Sequence, residues 1–517
     1  MPIPIPERSE IFGKAWTRPA GLLVDEALAG TRAGIRALLP DLPDGEGAAG
    51  PAVRFSLDES LGAERYRLVC GESGAAAEAG DAAAAVFAAA TVRQLLEENG
   101  GRIPRCSIED GPRFGWRGVC MDVCRHFFPA ETLRKLIDVM ALYKYNRLHL
   151  HLSDDQGFRF GSERFPLLAA VGSQRKSTLV KRGAGAVQDG APHGGYYTKD
   201  ELRDLVRYAK ARGIEIVPEI DVPGHALAML AAYPELMCFP EPVEVATSFG
   251  VSDFSRKLLC AGSERVYEFL FSLLDELTEV FPFGYVHLGG DEAVKTEWAR
   301  CPRCRAAIKE HGLGGGRELQ GWMLSRLSRH LEARGRRAIV WNDGLSGALD
   351  RNVVCQYWTP FFIENKRRAV RWVNDGGEMI WSGFLHVYFD YPYAVTPLKK
   401  TYRSEPVPRG ILPGRSSGVL GAECAAWTEW IDTEEKLFFN LLPRLAAAAE
   451  AMWSPKAKRE YRGFLSRLQP HYRLYERLGL PYARRMENSL PIWKRIAELR
   501  TFFRRDTHAE LAGNQRK

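Results

Sequence analysis

The chain has 517 residues, 45% of them hydrophobic and 26% charged, with a formal net charge of +7. That length is too great for one ordinary core and predicts two or three domains, one of them large. The positive charge is spread along the chain without a dense basic block, which argues against a nucleic-acid partner, and no run of about 18 apolar residues exists to span a membrane.

The one short basic cluster, Lys366-Arg367-Arg368, reads as a solvated helix face. The first fourteen residues carry prolines and charges and no apolar h-region, so no secretory signal is expected. Ten cysteines do not make a disulfide framework in a chain of this size. Cys301-Pro-Arg-Cys304 is a lone C-x-x-C with neither a second pair nor an H-x-H partner nearby, a weak zinc or redox signal. Cys120 and Cys124 belong to an apolar stretch and read as core. A reducing, cytoplasmic location is expected, with no metal and no cofactor.

Residues 1–110 predict a small α/β domain. Segments 54–57 and 66–69 have strand character, and the alanine-rich stretch 79–90 leads into an amphipathic helix over 91–98, ended by Asn99-Gly100-Gly101. Residues 108–112 read as a linker turn. From Trp116 the pattern becomes an alternation of strand and helix. Strands are predicted at 116–123, 147–152, 214–219, 285–288, 338–341, 353–358, 378–381 and 418–422, and helices at 132–142, 198–210, 263–280, 319–334, 366–373 and 434–452. Thr198 with Glu201 three residues on forms a capping box. Eight strands with helices between most of them predict a (β/α)8 TIM barrel over residues 111–455. An open doubly wound sheet is disfavoured because no G-x-G-x-x-G follows a first strand. Residues 456–517 predict a helical C-terminal extension.

The stretch around which this is organised is Tyr285-Val-His-Leu-Gly-Gly-Asp-Glu292. A short strand that stops at two glycines and delivers adjacent carboxylates presents them at the carboxyl edge of a parallel sheet. Two neighbouring carboxylates repel, so one proton is held more tightly than in water, which suits one of them to general acid catalysis. The plainer reading makes Asp291 and Glu292 the cap of the helix that carries Trp298.

Other predicted strand ends contribute Asp122 and Arg125; His149, His151, Asp154 and Asp155; Glu219, Asp221 and His225; Trp341; Trp358; Tyr388 and Asp390; and Trp427 and Glu429. Aromatic walls with charged hydroxyl readers suit a sugar ring. Carboxylates adjacent in sequence are poorly placed to flank both sides of a glycosidic bond, a need that vanishes when the substrate supplies its own nucleophile.

At these residues the sequence resembles glycoside hydrolase family 20, the β-N-acetylhexosaminidases. The resemblance runs over about residues 108–455 and is weaker in the preceding domain. It rests on Arg117-Gly-Val-Cys-Met-Asp-Val-Cys-Arg-His126, His149-Leu-His-Leu-Ser-Asp-Asp-Gln-Gly157, Pro218-Glu-Ile-Asp-Val-Pro-Gly-His225, His287-Leu-Gly-Gly-Asp-Glu292 and Trp427-Thr-Glu429. It implies exo-acting hydrolysis of terminal N-acetyl-β-hexosaminides with retention, through an oxazolinium-like intermediate. Glu292 would be the general acid and then the base. Asp291 would orient the 2-acetamido group, and Tyr388 would hold its carbonyl. Trp341, Trp358 and Trp427 would wall the pocket. Arg125, Asp390 and Glu429 would bind hydroxyls, while Asp154 and His225 would tune Glu292 from behind.

Two other readings compete. One is a metal-dependent amidohydrolase with His149, His151, His225 and Asp291 as ligands, although tryptophans stand where strands five and six should give further histidines. The other is a sugar-binding protein without catalysis.

Overall fold

Strands buried on both faces need no apolar–polar alternation, and all eight predicted strands form such strands. In the computed structural model, which describes residues 1–44, 50–181, 186–249, 257–359 and 363–505, they are β1 (Trp116–Asp122), β2 (Arg147–His151), β3 (Glu215–Glu219), β4 (Tyr285–His287), β5 (Arg337–Trp341), β6 (Val354–Tyr357), β7 (Glu378–Trp381) and β8 (Val419–Ala426). Each pairs in parallel with its sequence neighbours and β8 closes on β1, so the sheet is a closed barrel. The expected (β/α)8 architecture is therefore present.

Inward-facing residues change character along the barrel axis. At the amino ends, Trp116, Val217, Ile339, Val354 and Ile380 form one apolar cluster. Two residues further on, the same strands β3, β5 and β6 turn Glu219, Trp341 and Gln356 inward, all buried. The apolar plug closes the bottom and the polar layer opens toward the carboxyl ends, where barrel enzymes keep their chemistry.

The flanking helices follow their sequence signals. Thr198 and Glu201 make the reciprocal capping box at the start of Lys199–Lys210. The single helix predicted over 434–452 is instead two, Glu434–Leu441 and Arg444–Trp453. Pro443 stands between them, lacking the amide hydrogen that would continue the first.

The N-terminal residues build a six-stranded sheet in the order Arg8–Thr17, Ile103–Asp110, Tyr66–Gly71, Gly74–Ala79, Ala52–Leu57, Gly21–Val24. The alanine-rich stretch and the amphipathic stretch are one helix, Ala82–Glu98, with every residue from Ala84 to Leu95 buried. A helix covered all round lies between two layers. Here they are the sheet and the barrel: Gln94 donates to the Leu142 carbonyl at 2.9 Å, and the Arg117 guanidinium sits over Phe87 at 5.3 Å.

The predicted linker turn at 108–112 is largely strand, since Ile103–Asp110 runs through it. Its last residue, Asp110, accepts hydrogen bonds from Tyr66 Oη at 2.7 Å, Lys144 Nζ at 2.8 Å and Trp453 Nε1 at 2.9 Å. Lys144 and Asp110 both have fully buried side chains. The predicted linker turn is thus part of a buried joint.

In the C-terminal extension, the helix Tyr461–Arg477 buries Phe464, Leu468 and Tyr475. Arg467 reaches Glu450 at 2.6 Å and the Pro2 carbonyl at 2.9 Å. A further helix, Ile492–Arg505, follows, and the predicted helical character of 506–517 falls outside the described residues. Among the described residues, no helix is long and apolar enough to cross a membrane.

Candidate active site

The backbone after β4 is shaped by two glycines in the left-handed region, Gly289 at φ 65° and Gly290 at φ 103°. A Cβ on Gly289 would lie 1.8 Å from Asp221 Oδ1, so only glycine lets the chain pass there. The Gly290 amide donates to the same oxygen at 2.9 Å. Asp291 and Glu292 follow at the barrel mouth. They are not a helix cap: the helix carrying Trp298 is Thr296–Arg300, and its cap position is Lys295.

Glu292 itself has φ 48°, and His225, which faces it, has φ 47°. Non-glycine residues rarely adopt this conformation, which costs roughly 1 kcal/mol or more each. Such strain persists where the surroundings fix it, and here both residues are aimed at each other. His225 Nε2 lies 3.4 Å from Glu292 Oε2 and 3.9 Å from Asp291 Oδ2. Its Nδ1 lies 3.2 Å from Asp154 Oδ1. Asp154 also receives Arg125 Nη2 at 2.7 Å and His151 Nε2 at 2.8 Å. A continuous polar chain thus runs Arg125–Asp154–His225–Glu292, from β1 through β2 and the loop after β3 to β4.

Charge follows from that geometry. Burial raises the Asp154 carboxyl, but Arg125, His225 and His151 outweigh it and hold the group well below its ordinary value. Burial disfavours the charged form of His225, yet Asp154, Asp155 and Glu292 hold its pKa well above the usual imidazole value. Burial pushes Asp291 up to about 6; the charges of Glu292 and Glu219 add to this, and His225 opposes it. Asp291 therefore gives up its proton closer to neutral pH than an ordinary carboxyl does.

The aromatic residues form a continuous wall. Trp341 is buried, with Nε1 donating to Glu219 Oε1 at 2.8 Å. Its ring lies 5.9 Å from Trp427, which lies 6.3 Å from Tyr388, which stacks on Trp358 at 6.2 Å. Arg125 sits over the Trp427 ring at 5.1 Å. Burial works against its charge, and Asp154, Asp122 and Glu429 together keep it charged. Asp390, half-buried, follows Tyr388 at the rim.

Asp343 was not singled out from the sequence. Its carboxylate accepts Trp358 Nε1 at 2.8 Å and Asn365 Nδ2 at 2.7 Å. Burial, and then the charge of Asp291, push it up to about 7. The available signal was its place two residues beyond the inward Trp341, where Asn342-Asp343 resembles an ordinary turn. Glu423 was missed as well. It lies mid-strand on β8 and accepts from His149, Gln356 and Trp116.

The histidines of the rival metal reading have other work. His149 lies 2.8 Å from Glu423 and 3.1 Å from Glu219. His151 lies between Asp154 and Glu219. Burial lowers the pKa of both, but nearby groups outweigh it. Cys120, Glu423 and Glu219 hold His149 well above the ordinary value, and Glu219 and Asp154 push His151 up to about 9. The cysteine reading also changes: Cys301 and Cys304 are not alone, because Cys238 and Cys260 pack against them, all four buried. These two come from the excursion between β3 and β4 and carry no C-x-x-C spacing that would announce them.

Residues 114–456 match the model of the glycosyl hydrolase family 20 catalytic domain, and residues 5–111 match domain 2 of the same family. The chain is a glycoside hydrolase of family 20. It is 35% identical over 430 residues to a beta-hexosaminidase of Akkermansia muciniphila, covering 80% of this chain and 84% of the relative. It is 33% identical over 447 residues to a beta-hexosaminidase of Porphyromonas gingivalis, covering 82% of this chain and 55% of the relative, so it spans little more than half of that protein. Among solved family 20 structures, the β-N-acetylhexosaminidase of Bacteroides fragilis superposes with a TM-score of 0.80 at 29% identity, covering 93% of this chain and 97% of the other. The Vibrio harveyi exo-β-N-acetylglucosaminidase, in complex with N-acetylglucosamine, superposes with a TM-score of 0.81 at 27% identity, covering 93% of this chain and 78% of the other.

Proposed function

We propose that this protein is an exo-acting β-N-acetylhexosaminidase that removes terminal N-acetyl-β-glucosaminides or galactosaminides with retention, the substrate's own acetamido oxygen serving as nucleophile. The observation that carries the reading is the Asp154–His225–Glu292 chain set beside Asp291 and walled by Trp341, Trp427, Tyr388 and Trp358. Glu292 donates a proton to the departing glycosidic oxygen as the acetamido oxygen attacks the anomeric carbon. Asp291 accepts the acetamido N–H and opposes the positive charge that grows on the ring being formed. Tyr388 donates to the acetamido oxygen and holds it in line. Water, deprotonated by Glu292, then opens the intermediate from the face the aglycone left. Adjacent carboxylates suffice because no second carboxylate must reach the opposite face of the sugar.

A cytoplasmic location belongs to the same proposal. All ten cysteines are buried and free, as a reducing compartment permits; cell fractionation with an antibody tests it. The activity is tested with a chromogenic N-acetyl-β-glucosaminide. The protein is expected to turn it over, with kcat reduced at least ~10³-fold in Glu292→Gln by loss of general acid–base catalysis. Unimpaired turnover by that variant would refute the role of Glu292.

A further inference from the structure

Four cysteines that the proposed hydrolysis does not use meet behind the active site. Cys238, Cys260, Cys301 and Cys304 are all buried, and their sulfurs lie within 4.8 Å of one another. The separations are 3.6 Å for Cys238–Cys304, 3.7 Å for Cys260–Cys304 and 3.8 Å for Cys260–Cys301. None is bonded to another as a disulfide. Four sulfurs each about 2.3 Å from one zinc ion at tetrahedral angles stand about 3.8 Å apart. The cluster therefore already has the edge length of a tetrathiolate site.

The surroundings fit such a site in three further ways. The turn at Gly262 presses on the Cys301–Cys304 turn so closely that a Cβ there would meet the Arg303 carbonyl carbon at 2.3 Å and the Cys304 nitrogen at 2.5 Å. The Gly262 amide faces the sulfurs of both Cys260 and Cys304, the kind of N–H donor that supports metal-bound thiolates. Arg303 is tied to the carbonyls of Met237 and Cys238 at 3.0 and 3.1 Å, and its guanidinium lies beside Cys301, where it offsets the charge of a tetrathiolate. Cys301 also caps the helix Pro302–Glu310, whose amino end favours negative charge.

We propose that Cys238, Cys260, Cys301 and Cys304 bind one zinc ion as a closed structural site. Zn²⁺ displaces the four thiol protons to give a tetrathiolate, with no oxidation and no open coordination position. The ion joins two excursions of the barrel. One, between β3 and β4, is anchored where Leu259 donates to the Pro223 carbonyl at 3.1 Å, two residues before His225. The other follows Glu292 and is held where Trp298 Nε1 donates to the Leu259 carbonyl at 3.0 Å. The metal thus buttresses the two loops that aim His225 and Glu292 at each other, and it takes no part in bond breaking.

The test is metal content, which does not depend on the activity assigned above. The full-length protein, produced with zinc and kept reduced, is desalted and its metal measured by mass spectrometry. About one zinc per chain is expected, released by a mercurial thiol reagent with the melting temperature falling as it leaves. Cys304→Ser and Cys238→Ser should retain less than half of it, and Cys70→Ala, outside the cluster, should retain all. Should the serine variants fail to fold, protein produced with cobalt decides: tetrahedral thiolate–cobalt absorption supports the site, and its absence overturns it. A folded, reduced protein with less than about a tenth of a zinc per chain after loading, or four sulfurs found as two disulfides, overturns it as well.

Discussion

At the scale of single residues, the site is a contest between burial and charge, and Asp291 shows what it costs the fold. Its carboxyl is raised to about 6 from an ordinary 3.8. The native state thus binds this proton more tightly than the unfolded chain does. The sign follows: the native state is favoured most below about pH 4, loses ground as pH rises toward 6, and carries a constant deficit above that, up to roughly 3 kcal/mol. Asp291→Asn should therefore unfold at a higher temperature than the native protein at pH 7.5, with the gap closing near pH 4, while kcat drops steeply because the amide cannot oppose the growing positive charge. The native protein's kcat/KM should show an acid limb near pH 6 that the variant lacks. Differential scanning calorimetry and a pH–rate profile check the two halves. Asp291 and Glu292 could be chosen from sequence because two glycines and a strand announce them. Asp343 and Glu423 could not: one looks like a turn residue and the other like a polar interruption of a strand, and only the closed barrel turns them inward.

At the scale of elements, the turn after β4 has little freedom to vary. Gly289→Ala would put a methyl group against Asp221 and force φ 65° on a residue that avoids it. The expected result is loss of most activity with the far-ultraviolet dichroism retained, since the clash falls on one turn and not on the barrel. A variant with native kcat would show that the turn relaxes without moving Glu292. Most strand positions were readable along the barrel because strands buried on both faces leave short, largely apolar and β-prone stretches. The strand Gly74–Ala79 left no such mark: its glycine and alanines have weak strand preference, and pairing on both sides with Ala52–Leu57 and Tyr66–Gly71 makes it a strand. The predicted helix over 434–452 spans Pro443, whose missing amide hydrogen divides it in two. The cysteine cluster was illegible because its members come from separate loops that only the folded barrel brings together.

At the scale of the whole molecule, the N-terminal sheet and the barrel are locked together by buried contacts. Lys144, just before β2, is fully buried against Asp110 at the end of the N-terminal sheet, and Trp453 of the last barrel helix donates to the same carboxylate. Removing one partner of a buried ion pair costs roughly 3–5 kcal/mol. Lys144→Met should lower the melting temperature by several degrees while leaving KM unchanged, because the joint lies at the end of the barrel remote from the catalytic mouth; a calorimetric scan and steady-state kinetics check both. For anyone wishing to trim this enzyme to a minimal catalyst, the joint dictates where not to cut. A gene begun after residue 111 would leave Lys144 a stranded cation and strip the cover from the outside of the barrel. The product to expect in the expression host is sediment in the inclusion-body fraction, while the untrimmed polypeptide stays in the supernatant.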